Sequence, residues 1–154
     1  MSKEKNFQKT FIKHLYERDL QVIELSDLMN PGGKPDLMIL GQKNYFYCEL
    51  KVHEFKLDFM LRTLFQPTQL PYYYKFLRSQ EWSLYVIIRI TGEGKGHGKG
   101  HPRGYEVIRM ERKLIKEILA GLKYRELATK WYCNSNFFTD YSLLITYIKE
   151  EMRK

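Results

Sequence analysis

The chain is short, basic and rich in aromatic residues. Its 154 residues favour one domain over 1–154 with a core of its own, and 44% apolar residues exclude a disordered or fibrous chain. A formal net charge of +8 indicates an anionic partner, most commonly a nucleic acid, and no apolar run is long enough to span a bilayer.

The predicted elements alternate between helices and strands. A helix is predicted over 3–18, with Ser2 as its N-cap and an apolar stripe of Phe7, Phe11 and Leu15. Alternating or continuous apolar runs predict five strands, at 21–25, 35–40, 45–52, 82–90 and 105–110. Further helices are predicted at 68–79, 111–121, 124–132 and 139–153, and the segment 53–65 is partly helical.

This order predicts an α/β fold with a mixed sheet of four or five strands. Helices flank the sheet, the core covers about 2–110, and a helical C-terminal part follows over about 111–154. Cys48 and Cys133 form no pattern and are read as free thiols. Together with the lack of a signal-peptide core, they predict a cytoplasmic protein, or one in the host cytoplasm if it is viral, with no membrane partner.

The strand pair 35–52 contains three residues that a buried hairpin does not need. In the second strand Glu49 and Lys51 share one face, opposite the apolar face that contains Cys48 and Leu50. If the turn 41–44 closes the hairpin, Asp36 returns beside Glu49 and Lys51. A solvent-facing Glu–Lys pair is the simpler interpretation, but the position of Asp36 favours a functional cluster.

Two carboxylates and an ammonium group suit phosphodiester hydrolysis. Asp36 and Glu49 are hard oxygen ligands of the kind that Mg²⁺ prefers, and the main-chain carbonyl of Leu50 could complete the ligand set. A bound cation activates water and neutralises charge on the phosphate, while Lys51 orients the nucleophile or stabilises charge.

The same residues resemble the PD-(D/E)xK signature of a large nuclease superfamily. Pro35-Asp36, twelve intervening residues and Glu49-Leu50-Lys51 match it, with hydrophobic strands on both sides and a glycine-rich lead-in. Over about residues 2–90 the chain looks most like archaeal Holliday-junction resolvases and small virus-type replication-repair nucleases. The resemblance implies a restriction-endonuclease-like fold and Mg²⁺-dependent cleavage of DNA, structure-specific at junctions or flaps, with Mn²⁺ expected to substitute.

Two further residues enter the site through this resemblance. Resolvase-like nucleases have a metal-binding glutamate on the first helix, which implies Glu4, with Glu17 and Glu24 as weaker substitutes. Gln69 matches the glutamine of a Q-x-x-x-Y element, and Gln66 competes for that role. The alternatives stay open, because Glu4 could serve only the helix dipole and Gln69 could be an exposed polar residue.

Basic residues outside the cluster predict contacts with the nucleic-acid backbone. Lys34 precedes the Pro-Asp pair, whereas Lys95, Lys99 and Arg103 recur through the glycine-rich segment 91–104. This segment is read either as a basic finger over the backbone or as a plain connection. It fits no Walker A motif, so no nucleotide cofactor is expected, and its two histidines lack the further ligands that zinc requires.

Two questions of function stay open in the sequence. The alternative to an enzyme is a nucleic-acid-binding module that keeps the fold without turnover, although Asp36, Glu49 and Lys51 are all present. A homodimer would supply the two active sites that cleavage of both strands requires, and 137–148 is a candidate contact. Packing of that segment within one chain is the other interpretation.

Overall fold

The structure, a computed structural model, describes residues 2–25, 34–55, 59–77, 83–92, 103–130 and 133–153. Within these ranges the strands are β1 (Gln21–Glu24), β2 (Leu37–Leu40), β3 (Tyr45–Glu54), β4 (Leu84–Thr91), β5 (Gly104–Arg109) and β6 (Asn134–Phe138). The α-helices are α1 (Lys3–Glu17), α2 (Gln69–Phe76), α3 (Arg112–Leu119) and α4 (Tyr141–Glu151), with 3-10 segments at Leu61–Leu64 and Tyr124–Thr129.

The six strands form one sheet in the order of the chain, β1-β2-β3-β4-β5-β6. All neighbours are antiparallel except β3 and β4, which are parallel and joined by the crossover that contains α2. A turn with a 2.8 Å hydrogen bond from Gly41 N–H to the Asn44 carbonyl closes the β2–β3 hairpin. The predicted mixed sheet flanked by helices is therefore confirmed.

One strand was not predicted from the sequence. β6, over Asn134–Phe138, pairs with β5 at the edge of the sheet, and its residues are exposed or only half-buried. An edge strand with this exposure lacks the alternation of buried and exposed positions that marks a strand, so the sequence predicted only a break between helices. The sheet consequently has six strands instead of four or five.

Two helices cover the first face of the sheet. Ser2 caps α1 by accepting a hydrogen bond from Lys5 N–H, and the predicted stripe of α1 is fully buried. On the strands this face contains Phe46, Cys48 and Leu50, as the alternation predicted. The apolar residues of α4 complete this layer of the core, namely Leu144, Ile145 and Ile148.

The second face is covered by α2, α3 and the two 3-10 segments. Tyr73 of α2 and Leu114 of α3 pack against Val86 and Ile88 of β4. Since both faces are covered, the face of β3 that contains Glu49 and Lys51 is interior. The interpretation of these two residues as a solvent-facing pair is therefore wrong.

Several predicted boundaries change because distant segments pair. The helix expected at 124–132 is a 3-10 segment, and 53–65 divides into the end of β3 and a second 3-10 segment. An isolated β-bridge between Met60 and Lys123 holds these two 3-10 segments together. In the described part of the chain, no helix has the length and apolar character needed to cross a membrane.

Candidate active site

The β2–β3 hairpin brings Asp36 to the middle of β3. Leu37 is paired with Cys48, so the residue before β2 lies opposite Glu49. Leu50 N–H donates a 2.8 Å hydrogen bond to Asp36 Oδ2. This carboxylate oxygen takes the place of the main-chain carbonyl that a continued β2 would offer. Because the N–H and C=O of one strand residue point to the same side, the Leu50 carbonyl also faces the Asp36 side of β3.

Glu49 and Lys51 form a buried ion pair. Their residues are 2% and 5% exposed, and Lys51 Nζ lies 3.0 Å from Glu49 Oε2. The ammonium also lies 5.3 Å from the ring centre of Phe65. A buried ion pair costs desolvation energy that its mutual attraction only partly recovers, so stability alone is a poor explanation for this pair.

Gln69, the first residue of α2, joins both members of the pair. Its Nε2 donates to Glu49 Oε2 at 2.9 Å, and its Oε1 accepts from Lys51 Nζ at 3.0 Å. Oε1 also accepts a 2.9 Å hydrogen bond from Gln66 N–H. Two donors face the amide oxygen and a carboxylate faces the amide nitrogen, so these neighbours determine the orientation of the amide.

The start of α2 explains why Gln69, and not Gln66, takes this position. Gln66 N–H donates to Gln69 Oε1, so the Gln69 side chain satisfies a main-chain N–H three residues back, with the spacing that a glutamine uses in a capping box. Thr68, the N-cap, makes no side-chain capping bond, whereas the Gln66 side chain is exposed. The capping arrangement therefore directs Gln69 inward.

Tyr73 lies one turn after Gln69 and is fully buried beside Glu49. Burial raises the pKa of the Tyr73 hydroxyl far above its ordinary value, and the Glu49 carboxylate raises it further. Within the described part of the chain, the Tyr73 hydroxyl and Glu49 Oε1 are both buried without a hydrogen-bond partner. One oxygen of Glu49 is therefore fully engaged and the other is not.

The site holds its carboxyl groups at unusual pKa values. Burial, with the nearby Asp36 charge, raises the pKa of Glu49 from 4.5 to about 7, although Lys51 opposes the shift. Burial also raises the pKa of Asp36, and the Leu50 N–H bond and Lys51 oppose this effect. Two carboxyl groups whose burial and mutual repulsion resist ionisation, even beside Lys51, form an environment that favours an added cation.

The remaining acidic candidates do not join this pair. Glu4 is exposed on the first turn of α1, not turned toward the core as predicted, but its charge contributes to the raised pKa of Asp36. Glu17 pairs with His14, and Glu24 accepts a hydrogen bond from Gln8. Across the described residues, no three Asp, Glu, His or Cys side chains are close enough to hold a metal ion by themselves.

The residues predicted to contact nucleic acid are only partly described. Lys34 and Arg103 are exposed, at the approaches to β2 and β5. Lys95 and Lys99 lie outside the described residues, as do the two histidines of the same segment. His53, on the strand face of Glu49 and Lys51, packs its ring 4.0 Å from that of Phe59.

Phe65 is a residue of this site that the sequence did not reveal. It lies in the segment 53–65, whose pattern is neither helical nor alternating, and it contacts Lys51 only because the chain turns back before α2. An aromatic residue just before the Gln66-Pro67 turn was the one available signal.

Comparison with known proteins gives similarities to solved structures. The chain is similar to the solved structure of Hjc, a Holliday junction resolvase from the archaeal hyperthermophile Archaeoglobus fulgidus, with a TM-score of 0.43 and 14% sequence identity. The match covers 80% of this chain and 98% of that chain. Neither a family model nor a curated protein sequence matches the chain.

Proposed function

We propose that this chain is a Mg²⁺-dependent endonuclease that hydrolyses DNA phosphodiester bonds. The observation that carries the proposal is the buried cluster of Asp36, Glu49 and Lys51, which Gln69 joins through two hydrogen bonds. Its two carboxyl groups have raised pKa values, and the net charge of +8 suits an anionic polymer.

The donor atoms of this cluster fit a hard divalent cation. Asp36, Glu49 and the Leu50 carbonyl would hold it, and Mg²⁺ commonly uses few protein ligands and keeps several waters. Glu49 Oε1, buried and without a hydrogen-bond partner among the described residues, is an oxygen that such a cation would satisfy. When bound, Mg²⁺ supplies Lewis-acid stabilisation of a phosphate oxygen, and Mn²⁺ should replace it.

The side chains around the proposed cation have separate roles. Lys51 presents an ammonium to charge that develops on the phosphate, and Gln69 holds that ammonium through its amide oxygen. Gln69 also restrains the Glu49 carboxylate by donating to Oε2, which keeps the unengaged oxygen Oε1 in place. Glu4 is proposed as an auxiliary group because its charge reaches Asp36.

The substrate is proposed to be a branched DNA in replication, recombination or repair. The test incubates the purified chain with labelled linear, flap and four-way-junction DNA, and with RNA of the same sequence, in Mg²⁺ or EDTA. We expect Mg²⁺-dependent cleavage that Asp36→Ala and Glu49→Ala abolish, while DNA binding persists because a negative charge near the phosphate is removed. Lys51→Ala should lower the rate by about 100-fold or more, the range seen when a transition-state donor is lost.

Two outcomes would contradict this proposal. Full cleavage by all three variants would place the active site elsewhere. DNA binding without cleavage, on every substrate and with Mg²⁺ or with Mn²⁺ in its place, would show instead a nucleic-acid-binding module without turnover.

A further inference from the structure

A second cationic site lies in the groove between α2 and α3. A cavity of about 510 Å³ opens there, lined by Tyr74 of α2 and by Arg112, Lys113, Lys116 and Glu117 of α3. Three of these side chains are cationic and one is anionic. The groove is therefore a positively charged cavity with an aromatic wall, separate from the cluster around Glu49.

The aromatic wall holds two of the cations. The Arg112 guanidinium lies 4.0 Å from the centre of the Tyr74 ring, and Lys116 Nζ lies 5.7 Å from it. Arg112 and Lys116 are four residues apart on α3 and so share one side of the helix. A guanidinium stacked on a ring loses less freedom when it binds an anion than one on a mobile side chain.

These two cations have no anionic partner in the described part of the chain. Neither Arg112 nor Lys116 takes part in the ion pairs His14–Glu17 and Lys51–Glu49 of that part. Arg112 Nε is buried and, within the same residues, makes no hydrogen bond. A guanidinium held against a ring, with no anionic partner among the described residues, is a ready partner for a phosphate.

We infer that this groove binds a backbone phosphate of the nucleic-acid strand outside the scissile phosphodiester. The inference rests on the proposed function and adds a substrate contact to it. Tyr74 follows Gln69 by five residues of the same helix, a separation of about 7.5 Å along the axis at 1.5 Å per residue. At about 100° per residue Tyr74 also lies about 140° around α2 from Gln69, so a phosphate in the groove is a different one from the phosphate at the cluster.

The contact is a backbone contact without sequence readout. A phosphate bound by Arg112 and Lys116 sets the register of the strand relative to Asp36 and Glu49 but does not identify bases. Removing the contact should therefore weaken binding of all sequences alike, and it should leave the chemical step intact once the substrate is bound.

The test compares two double variants with the same change of charge. Arg112→Gln/Lys116→Gln removes the groove cations, whereas Lys43→Gln/Lys149→Gln removes two cations at the β2–β3 turn and on α4. Fluorescence anisotropy with labelled DNA in EDTA measures affinity across a series of NaCl concentrations. The groove variant should bind about tenfold more weakly, with a salt slope smaller by about one to two, and the control should change much less.

Variants of Tyr74 test whether the stacking of Arg112 on the ring contributes to DNA binding beyond the positive charge of the groove. Tyr74→Leu changes no charge but removes the ring under Arg112, and we expect it to weaken DNA binding, whereas Tyr74→Phe should bind like the unaltered protein. Thermal melting of every variant identifies loss of folding. Single-turnover cleavage at saturating protein should remain nearly unchanged in the groove variant.

Three results would overturn the inference. One is a groove variant whose affinity and salt slope match those of the control pair. Another is Tyr74→Leu with unaltered affinity. The third comes from the same anisotropy measurement with labelled polyglutamate: a groove variant that loses polyglutamate binding but keeps DNA binding would make the groove a surface for acidic proteins. Because binding is measured in EDTA, failure of the unaltered protein to cleave would refute the proposed function but not this comparison.

Discussion

Gln69 donates a 2.9 Å hydrogen bond to Glu49, the buried carboxylate of β3. Its amide oxygen accepts from Lys51 at 3.0 Å, so one side chain at the start of α2 is bonded to both members of an ion pair on the neighbouring strand. The crossover between β3 and β4 thus supplies the group that restrains the candidate active site.

Replacing this amide should slow cleavage without removing any charge. In Gln69→Leu the Glu49–Lys51 ion pair remains, but both groups lose the hydrogen bond to the amide that holds them in place. Misplaced groups cost about 10- to 100-fold in the rate of single-turnover cleavage. Gln66→Ala is the matched control, because the Gln66 side chain is exposed and the hydrogen bonds to Gln69 come from the Gln66 main chain. Equal rates for the two variants would show that Gln69 has no positioning role.

Without metal, the stability of the protein should fall as the pH rises through neutrality. Burial raises the folded-state pKa of Glu49 to about 7 from 4.5, so the unfolded chain loses this proton first. The stabilisation is complete below about pH 4.5 and is lost as the pH passes 7, an effect of about 3 kcal/mol. Urea unfolding in EDTA from about pH 5 to about pH 8 measures it.

Glu49→Gln provides the control for this pH dependence. The variant cannot ionise at residue 49, so most of the slope should disappear, leaving a smaller slope of the same sign from Asp36. Mg²⁺ should restore stability to the unaltered protein at the alkaline end and have little effect on the variant. An unchanged slope in Glu49→Gln would assign the titration to another group.

A second buried carboxyl should make a purely structural contribution. The Tyr124 hydroxyl donates a 2.6 Å hydrogen bond to Glu106 Oε1, and burial raises the pKa of Glu106. Tyr124→Phe leaves this carboxyl without its donor and should lower the free energy of unfolding by about 1–3 kcal/mol. The loss should be larger above the pKa of Glu106, and Tyr45→Phe, at a tyrosine that is 46% exposed, should change little.

The segment between β4 and β5 should contribute to DNA affinity. Residues 93–102 lie outside the described part of the chain, but Ile90 and Gly104 are paired, so a two-residue turn can replace 92–103. Loss of Lys95, Lys99 and Arg103 should weaken DNA binding and reduce the salt slope by about two to three, while single-turnover cleavage changes little. If the DNA affinity and the salt slope are both unchanged after this replacement, the segment only connects β4 to β5.

The oligomeric state is a separate prediction. A two-fold dimer would supply the two active sites that cleavage of both strands requires, and the sequence predicted 137–148 as a candidate contact between the two copies. Leu144, Ile145 and Ile148 of α4 are buried against α1 and the sheet of the same chain, whereas Leu143 is 51% exposed. Light scattering at micromolar concentration should give twice the monomer mass, and a monomer mass would contradict the dimer.

The local pattern of the sequence determined the pairing at the centre of the site. Period-two alternation placed Glu49 and Lys51 on one face of β3, and the short turn at 41–44 brought Asp36 back beside them. These relationships depend on neighbouring residues and on one hairpin, whose register follows from its length. The sequence also predicted the start of α2 near Thr68, because a proline such as Pro71 is tolerated only within the first turn of a helix.

Only the tertiary structure decided the environment of those residues. Glu49 and Lys51 are buried because α2 and α3 cover a face that alternation alone left open to solvent, and α3 lies more than fifty residues further along the chain. The same packing creates the groove of Tyr74 and Arg112 and joins Tyr124 to Glu106. Burial and pKa shifts depend on which distant surfaces meet, and no periodicity within one segment encodes that.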